Sequence, residues 1–533
     1  MAVHKGLLFL CLVANSVGAQ TDRYFISFKD KTGTPHTISQ PMTYLSARAM
    51  TRRTHSGVVV TSADLPVTPF YVSQIKAAGA KTFFTSRWMN GVLVEASSSV
   101  VSSITALPFV LKTELVAHGM KLLGGRQKQF KQKNISGSDE ATQTQLQMLG
   151  IDKMHTDGFR GEGVMISILD DGFSGTNSAP PFQPVFSDGR VKMMQDFVTN
   201  SGNIFQFDDH GTKVFSIIAA QVAGTFTAGA DKANYLLFVT EDNSSESRVE
   251  EYNWLFAAEK SDSAGADVIQ SSLGYNTFDD TQMDYTIANM DGKTTVIARA
   301  AGMARDRAII VVVSAGNEGN KSWQYVTSPA DADGILAIGS VNSLGLKANF
   351  SSFGPTADGR IKPDVVALGQ NVTIIRPDGS LGNDSGTSMS SPLVAGLVAG
   401  LVQAFPQLTP AALIQAIKLS ASQAAAPDNR LGYGIPNYIA VKNYINSTHL
   451  NDAVLIYPNP AASTLMLAFK ELPTGSVELT FYDSQGKLLS NPVSGLDWLN
   501  NPLAISVSGL APGCYFLKIK TPTLESTYRF VKL

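Results

Sequence analysis

Residues 164–173 read VMISILDDGF, a nearly unbroken apolar run that stops abruptly at two aspartates and a glycine. A strand with one wet face alternates apolar and polar residues. A strand buried on both faces does not, and such strands belong to parallel sheets covered by helices. The same pattern returns in YLLFV (235–239), DVIQSS (267–272), AIIVVV (308–313) and GILAIGS (334–340). Between these runs lie SRVEEYNWLFAAEKSDSAG (247–265) and TTVIARAAGMARDR (294–307), which have helical spacing. Strands and helices in alternation predict a doubly wound α/β domain with a mostly parallel sheet, spanning 146–446.

Outward from this domain the character changes on both sides. Residues 20–120 mix expected strands, YFISF and GVLVEAS, with expected helices, YVSQIKAAG and SVVSSITALP, as in a small α+β unit. The polar, basic stretch GGRQKQFKQKNISGSDEATQTQ (124–145) has the composition of an exposed linker, so 121–145 is expected to carry a processing site. Residues 453–533 contain STLMLAF, VELTFYD, LAISVSG, CYFLKIK and YRFVKL, alternating and separated by the turn signals DSQGK and APG. That is the pattern of a small antiparallel β-sandwich.

A chain of 533 residues is long enough for two to four domains, and a net charge of −2 gives no sign of a nucleic-acid partner. The opening MAVHKGLLFLCLVANSVGAQ has one lysine, an apolar run and small residues at Val17 and Ala19, which predicts a secretory signal over 1–19. Its loss would leave Cys514 alone, with no internal disulfide to form. The apolar run Leu393–Phe405 is short of the roughly twenty residues a bilayer requires and reads as a buried helix. No transmembrane helix is expected. Gly396 and Gly400 within it are read as close helix packing.

Acyl-transfer chemistry requires a nucleophile, a base, a group to orient the base, and donors for the oxyanion. SGTSMSSP (385–392) offers four serines just before the apolar helix. Pro392 has no N–H and fits best in a first turn, which predicts a helix start at Ser388 or just after it. Two histidines lie in the α/β region: His155 in a polar stretch that reads as solvated surface, and His210 at the head of HGTKVFSIIAA. A histidine at a helix start is also a common cap or surface residue. Asp170 and Asp171 end an expected buried strand, where parallel sheets place ligand-binding groups. A double aspartate before glycine equally fits a turn. Asn317 sits in SAGNEG, where it serves either turn geometry or oxyanion binding.

Taken together, ISILDDGF, DHGTKV and SGTSMSSP, in that order, resemble the three motifs of the subtilisin-like serine proteases (subtilases). SSLG (271–274) is similar to the cleft segment of that family, and SAGNEG to its oxyanion motif. The order excludes an α/β-hydrolase, and GxSxG is absent. The resemblance implies a secreted serine endopeptidase that acts on proteins or peptides and needs no cofactor for its chemistry. Asp170 would orient His210, His210 would deprotonate Ser388, and Asn317 with the Ser388 N–H would hold the oxyanion. Ser272, Leu273, Gly274, Ala315 and Gly316 would line the cleft. Two positions depart from the family pattern. Asp171 replaces a Ser or Thr, and strand alternation lets only one of the two aspartates reach His210. Lys213 stands where His is frequent, and a cation there should lower the His210 pKa.

YLSARAMTRR, DLPVTPFYVSQIKAAG and SRWMNGVLVEA resemble propeptides of exported Bacteroidetes subtilases, which implies that 20–120 is an intramolecular inhibitor and folding chaperone. An unrelated binding domain is the alternative. LIYPNPAASTLML and APGCYFLKIK resemble the C-terminal sorting domains read by the type IX secretion machinery, with a carbohydrate-binding sandwich as the alternative. The expected protein is a secreted or surface-attached monomer, made as an inactive precursor. Two other readings stand beside it: an inactive subtilase fold serving as adhesin or binding module, and a processing enzyme of narrow specificity. EDNSSE, DDTQMD and DADG lack the spacing of a known calcium loop, so no metal ligands are assigned, and structural calcium stays an unassigned expectation.

Overall fold

The computed structural model describes residues 21–119, 140–448, 454–457, 459–469, 473, 476–489 and 503–533. The expected signal, 1–19, and linker residues 121–139 lie outside them. At the N-terminal end, Asp22–Phe28 (β1), Lys81–Ser86 (β2), Gly91–Ala96 (β3) and Val110–Ala117 (β4) pair antiparallel in the order β2-β3-β1-β4. Ala47–His55 (α1), Pro69–Ala77 (α2) and Ser98–Thr105 (α3) complete this unit. One face of its sheet, with Ile26, Val92 and Val94, packs on Ile75 of α2 and Ile104 of α3.

The central domain is built on Met165–Asp170 (β5), Val191–Asp196 (β6), Asn234–Val239 (β7), Val268–Ser271 (β8), Ile310–Ser314 (β9), Leu336–Val341 (β10) and Val365–Leu368 (β11). Every pairing is parallel, in the order β11-β10-β9-β8-β5-β7-β6. Four helices flank the sheet: His210–Ala219 (α4), Val249–Ala264 (α5), Val296–Arg305 (α6) and Thr387–Ala404 (α7). The unbroken apolar runs now have their reason, because alternate residues of each strand enter different cores. Ile166, Ile168, Val312 and Ile338 pack with Ile217 of α4 and Leu393 and Leu397 of α7. Leu169, Ile269, Val311 and Val313 pack with Trp254 and Leu255 of α5 and Ala300 of α6. The edge strand β6, VKMMQD, alternates in burial and gave no such run.

The α7 helix is long and apolar enough to cross a bilayer, yet 78% of that stretch is buried inside the protein. Gly396 makes this possible on one side, since a Cβ there would stand 2.9 Å from Gly229 Cα. The small residues are thus spent on packing within the domain, as expected.

The sheet of the N-terminal unit turns its other face, with Phe25, Leu93 and Val116, toward α5 and joins the core there. Phe25 stacks on Tyr252 at 4.4 Å. In the C-terminal region, Val454–Tyr457, Thr464–Phe469 and Leu503–Ser506 form one antiparallel sheet. Glu478–Asp483, Gly513–Lys520 and Glu525–Lys532 form the other, and the two share one core containing Leu465, Leu479, Leu517 and Phe530. One boundary departs from the sequence reading. Residues 140–145 belong to the helix Glu140–Met148 and not to a linker. Gln145 is buried there and holds the Thr373 backbone through two hydrogen bonds, 3.0 and 3.3 Å. A polar composition hid this docking.

Candidate active site

Chain order reverses at β5: the strands on one side are β6 and β7, those on the other β8 to β11. Such a switch opens a crevice at the carboxyl ends of the strands. Asp170 is the last residue of β5 and is fully buried. Its Oδ1 accepts from His210 Nδ1 at 2.7 Å. Asp171 lies beside this pair but takes other partners, accepting from the Gly211 N–H at 3.2 Å and from Asn243 Nδ2 at 2.6 Å. Strand alternation leaves only Asp170 bonded to His210. Burial beside Asp170 lifts the Asp171 carboxyl well above the usual carboxylate range.

His210 is the first residue of α4, with 29% of its side chain exposed. With Nδ1 donating to Asp170, the neutral ring presents Nε2 as an acceptor. Burial opposes its protonation, but the charge and hydrogen bond of Asp170, with Asp171 adding to them, outweigh that and raise the imidazole pKa. Lys213 works in the lowering direction. Its Nζ lies 3.4 Å from Asp209 and 3.3 Å from Asp384, which keep it charged.

Ser388 is the second residue of α7, which starts at Thr387, one residue earlier than Pro392 suggested. Pro392 therefore lies inside the helix and leaves the carbonyl four residues back, that of Ser388, without its helical donor. Ser272 replaces it: its Oγ donates to Ser388 O at 2.9 Å. In return Ser388 Oγ donates to Ser272 O at 3.3 Å, so at rest the hydroxyl is directed at that carbonyl. Ser390 Oγ bonds back to Thr387 O.

Asn317 follows β9. Its Oδ1 accepts from both the N–H and the hydroxyl of Thr387, at 2.9 and 3.0 Å, which fixes the amide orientation. The Nδ2 group is thereby left as a donor beside Gly386 and the Ser388 N–H. A cleft of about 480 Å³ joins His210, Ser388 and Asn317 to Ser272, Leu273, Gly274 and Gly316. Ala315 departs from the expected lining. It is fully buried, its N–H bonded to Ile338 O and its carbonyl to the Thr327 N–H, and Ser314 lines the cleft instead. Successive residues leaving β9 alternate faces, which accounts for the exchange.

His155 also departs from its surface reading. It is half-buried and its Nε2 bonds to Gly229 O at 2.9 Å, with burial lowering its pKa. Two of the acidic clusters hold their own turns, Asp242 accepting from the Ser244 N–H and Asp280 from the Gln282 N–H, while Asp331 accepts from the Gly292 N–H of a distant loop. Among the described residues, the one trio of His and acidic side chains spaced closely enough to hold an ion is Asp170, Asp171 and His210. Thr327 also lines the cleft and escaped the sequence reading, and Glu241 and Glu246, the two ends of EDNSSE, line it where that reading had only weighed them as calcium ligands. Thr327 neither ends a strand nor sits in a motif. Glu241 is lifted well above the usual range by burial and by Glu246.

Residues 161–434 match the model of the subtilase family. Residues 23–134 match the peptidase S8 propeptide domain of Bacteroidota, and 455–532 the secretion system C-terminal sorting domain. Subtilisin of Bacillus pumilus is 31% identical over 248 residues, 46% of this chain and 78% of that protein. Subtilisin NAT of Bacillus subtilis subsp. natto is 30% identical over 46% of this chain, and the chain spans little more than half, 56%, of that relative. Among solved structures, MycP1 from Mycobacterium smegmatis is 24% identical, with 58% of this chain and 89% of that one covered and a TM-score of 0.44.

Proposed function

The chain belongs to the subtilase family of serine endopeptidases, and from that premise we propose that it hydrolyses peptide bonds of proteins through Ser388, His210 and Asp170. The observation that carries this reading is the 2.7 Å His210–Asp170 hydrogen bond, in one cleft with a serine at a helix start. On substrate binding, the Ser388 hydroxyl turns from Ser272 O toward the scissile carbonyl and gives its proton to His210 Nε2. Oxygen attacks carbon, and the carbonyl oxygen takes the negative charge. Asn317 Nδ2 and the Ser388 N–H, at the positive end of α7, hold that charge. His210 then passes its proton to the leaving amine, and water repeats the sequence on the acyl-enzyme. All these groups belong to the protein.

The sorting domain marks the chain for export, to the outside or to the cell surface. We assign the N-terminal unit the role of intramolecular inhibitor, with the mature N-terminus falling within 121–139. Sequencing the N-terminus of the secreted protein checks that boundary. For the chemistry, matured protein is expected to label covalently with a fluorophosphonate, and Ser388→Ala to abolish the label. Matured protein that takes no label would sink the endopeptidase reading and leave that of a binding module.

A further inference from the structure

Two carboxylates stand side by side at the end of β5, and the mechanism uses only one. Asp171 is 3% exposed, and a carboxylate so deeply buried has to find donors for its oxygens. Its donors come from two different elements. Oδ1 takes the N–H of Gly211, the residue after His210, at 3.2 Å, and Oδ2 takes Asn243 Nδ2 at 2.6 Å. Gly211 belongs to the first turn of α4, where N–H groups have no partner within the helix. Asp209, the residue before α4, caps none of them with its side chain and pairs with Lys213 instead. Asp171 is thus a cap supplied from outside the helix. The helix sits close on the turn that carries it, since a Cβ on Gly211 would stand 3.0 Å from Asp170 Cβ and overlap Gly172 O. Thr212 adds a further tie, its hydroxyl donating to Ser174 O at 2.7 Å.

Asn243 is held in its turn. Asp242 Oδ1 accepts from both the N–H and the hydroxyl of Ser244, at 2.9 and 2.7 Å, closing a tight turn around residue 243. Glu250, in the first turn of α5, accepts from the Asp242 N–H at 2.9 Å and from the Ser247 N–H at 3.3 Å. A line of hydrogen bonds therefore runs from α5 through Asn243 and Asp171 to the backbone beside His210. This inference rests on the proposed function, because there His210 is the base. We propose that Asp171 is a positioning residue for His210: Asp170 orients the imidazole ring, and Asp171, held by Asn243, fixes the helix start that carries it. The base must meet the Ser388 proton and then the leaving amine from one place, and a shift of about 1 Å in such a group costs about a hundredfold in rate.

The test uses protein matured from the full chain. Active sites are titrated to completion with a fluorophosphonate, so that kcat refers to folded enzyme. Each variant is compared with wild type on the alkaline plateau of its own pH profile, where His210 is neutral. Asp171→Ala is expected to lower kcat by about ten- to a hundredfold and to leave KM within about twofold. Asp171→Asn keeps an oxygen for the Gly211 N–H, and the Asn243 amide can turn to accept from its new NH2 group. This variant is expected to recover most of the lost turnover. Asn243→Ala is expected to lower kcat by about two- to tenfold, and to cost nothing further in the Asp171→Ala background. An unmoved kcat in Asp171→Ala, or a loss confined to KM, overturns the proposal. So does Asp171→Asn as slow as Asp171→Ala, which would assign the effect to charge and not to place. A full Asn243→Ala cost in the double variant would overturn it too, since the two residues would then act independently. Should Asp171→Ala yield no titratable sites, Asn243→Ala decides the matter by a kcat that falls at constant KM or stays unmoved. Wild-type protein that does not label at all would instead count against the endopeptidase reading.

Discussion

At the level of single residues, His210 is set by opposing charges. Burial disfavours the imidazolium, Asp170 and Asp171 favour it, and Lys213 disfavours it. The net direction is upward, so the neutral imidazole, the base of the proposed mechanism, forms at higher pH than for a free imidazole, and kcat/KM should rise with pH through that titration. Lys213 holds the limb back from moving further up. Asp209 and Asp384 partly offset the lysine charge at His210, which makes the expected effect a modest one. Lys213→Ala is expected to move the acidic limb of the kcat/KM profile to higher pH, with the plateau little changed. A pH–rate profile in low salt checks this, because salt screens such interactions. A limb that stays put, or moves to lower pH, would show that Lys213 does not act on His210.

Among the elements, α7 shows how a local rule and the fold diverge. Pro392 argued for a helix start at Ser388, since proline inside a helix strips a carbonyl of its donor. That cost is avoided here because Ser272, from the end of β8, supplies the missing hydrogen bond. The replacement is a contact across 116 residues of chain, which no local pattern carries. The same contrast separates what was readable from what was not. β5, β7, β8, β9 and β10 were visible because burial on both faces demands unbroken apolar runs. The edge strand β6, the docked helix Glu140–Met148 and the place of Thr327 in the cleft depend on what they pack against. Asp170, His210, Asn317 and Ser388 sat in recognisable surroundings, whereas the loss of Ala315 to Ser314 followed from a turn of backbone after β9. Pro392→Ala tests the helix directly. A new N–H at residue 392 would compete with Ser272 for Ser388 O and draw Ser388 toward regular helix. Stability is expected to change by about 1 kcal/mol or less, because the returning helical hydrogen bond only replaces the one from Ser272. Turnover is expected to fall by about ten- to a hundredfold as Ser388, the nucleophile of the proposed mechanism, shifts. Thermal unfolding and single-turnover kinetics measure the two, and unchanged turnover would mean that the displaced carbonyl plays no part in aligning Ser388.

On the scale of the whole molecule, the contact between the N-terminal unit and α5 decides how the precursor is held together. Asp262 of α5 is fully buried and meets Arg52 at 2.5 Å, Arg53 at 2.7 Å and Arg87 at 2.5 Å, all three from the N-terminal unit. Asp64 in turn pairs with Arg53 and with Arg307 of the central domain. Burial would raise the Asp262 carboxyl, but the three guanidiniums more than reverse that and hold it below the usual range. Asp64 is likewise brought down to about 2, burial being overcome by Arg53 and Arg307. A depressed carboxylate gives stability that is complete above its ordinary pKa and is lost as pH falls through the depressed one. Glu259 has the opposite sign: burial raises it despite its bonds to Ser86 and the Arg87 and Trp88 N–H groups, so its ionised form weakens docking near neutrality and acid relieves that. Mild acid therefore should not free the N-terminal unit. In a Ser388→Ala precursor, kept uncut, chemical denaturation at pH 7 and pH 5 is expected to give one cooperative transition at similar midpoints, with docking failing only toward pH 2–3, the range set by Asp64. Asp262→Asn removes the charge shared by three arginines and should cost about 3–5 kcal/mol at every pH above that range, because it leaves buried guanidiniums without a counter-charge. The N-terminal unit would then unfold or be cut by protease before the central domain does. If Asp262→Asn unfolded at the same denaturant midpoint as its parent, the buried cluster would not be what fastens the two units, and the apolar face around Phe25 and Tyr252 would have to carry the contact alone.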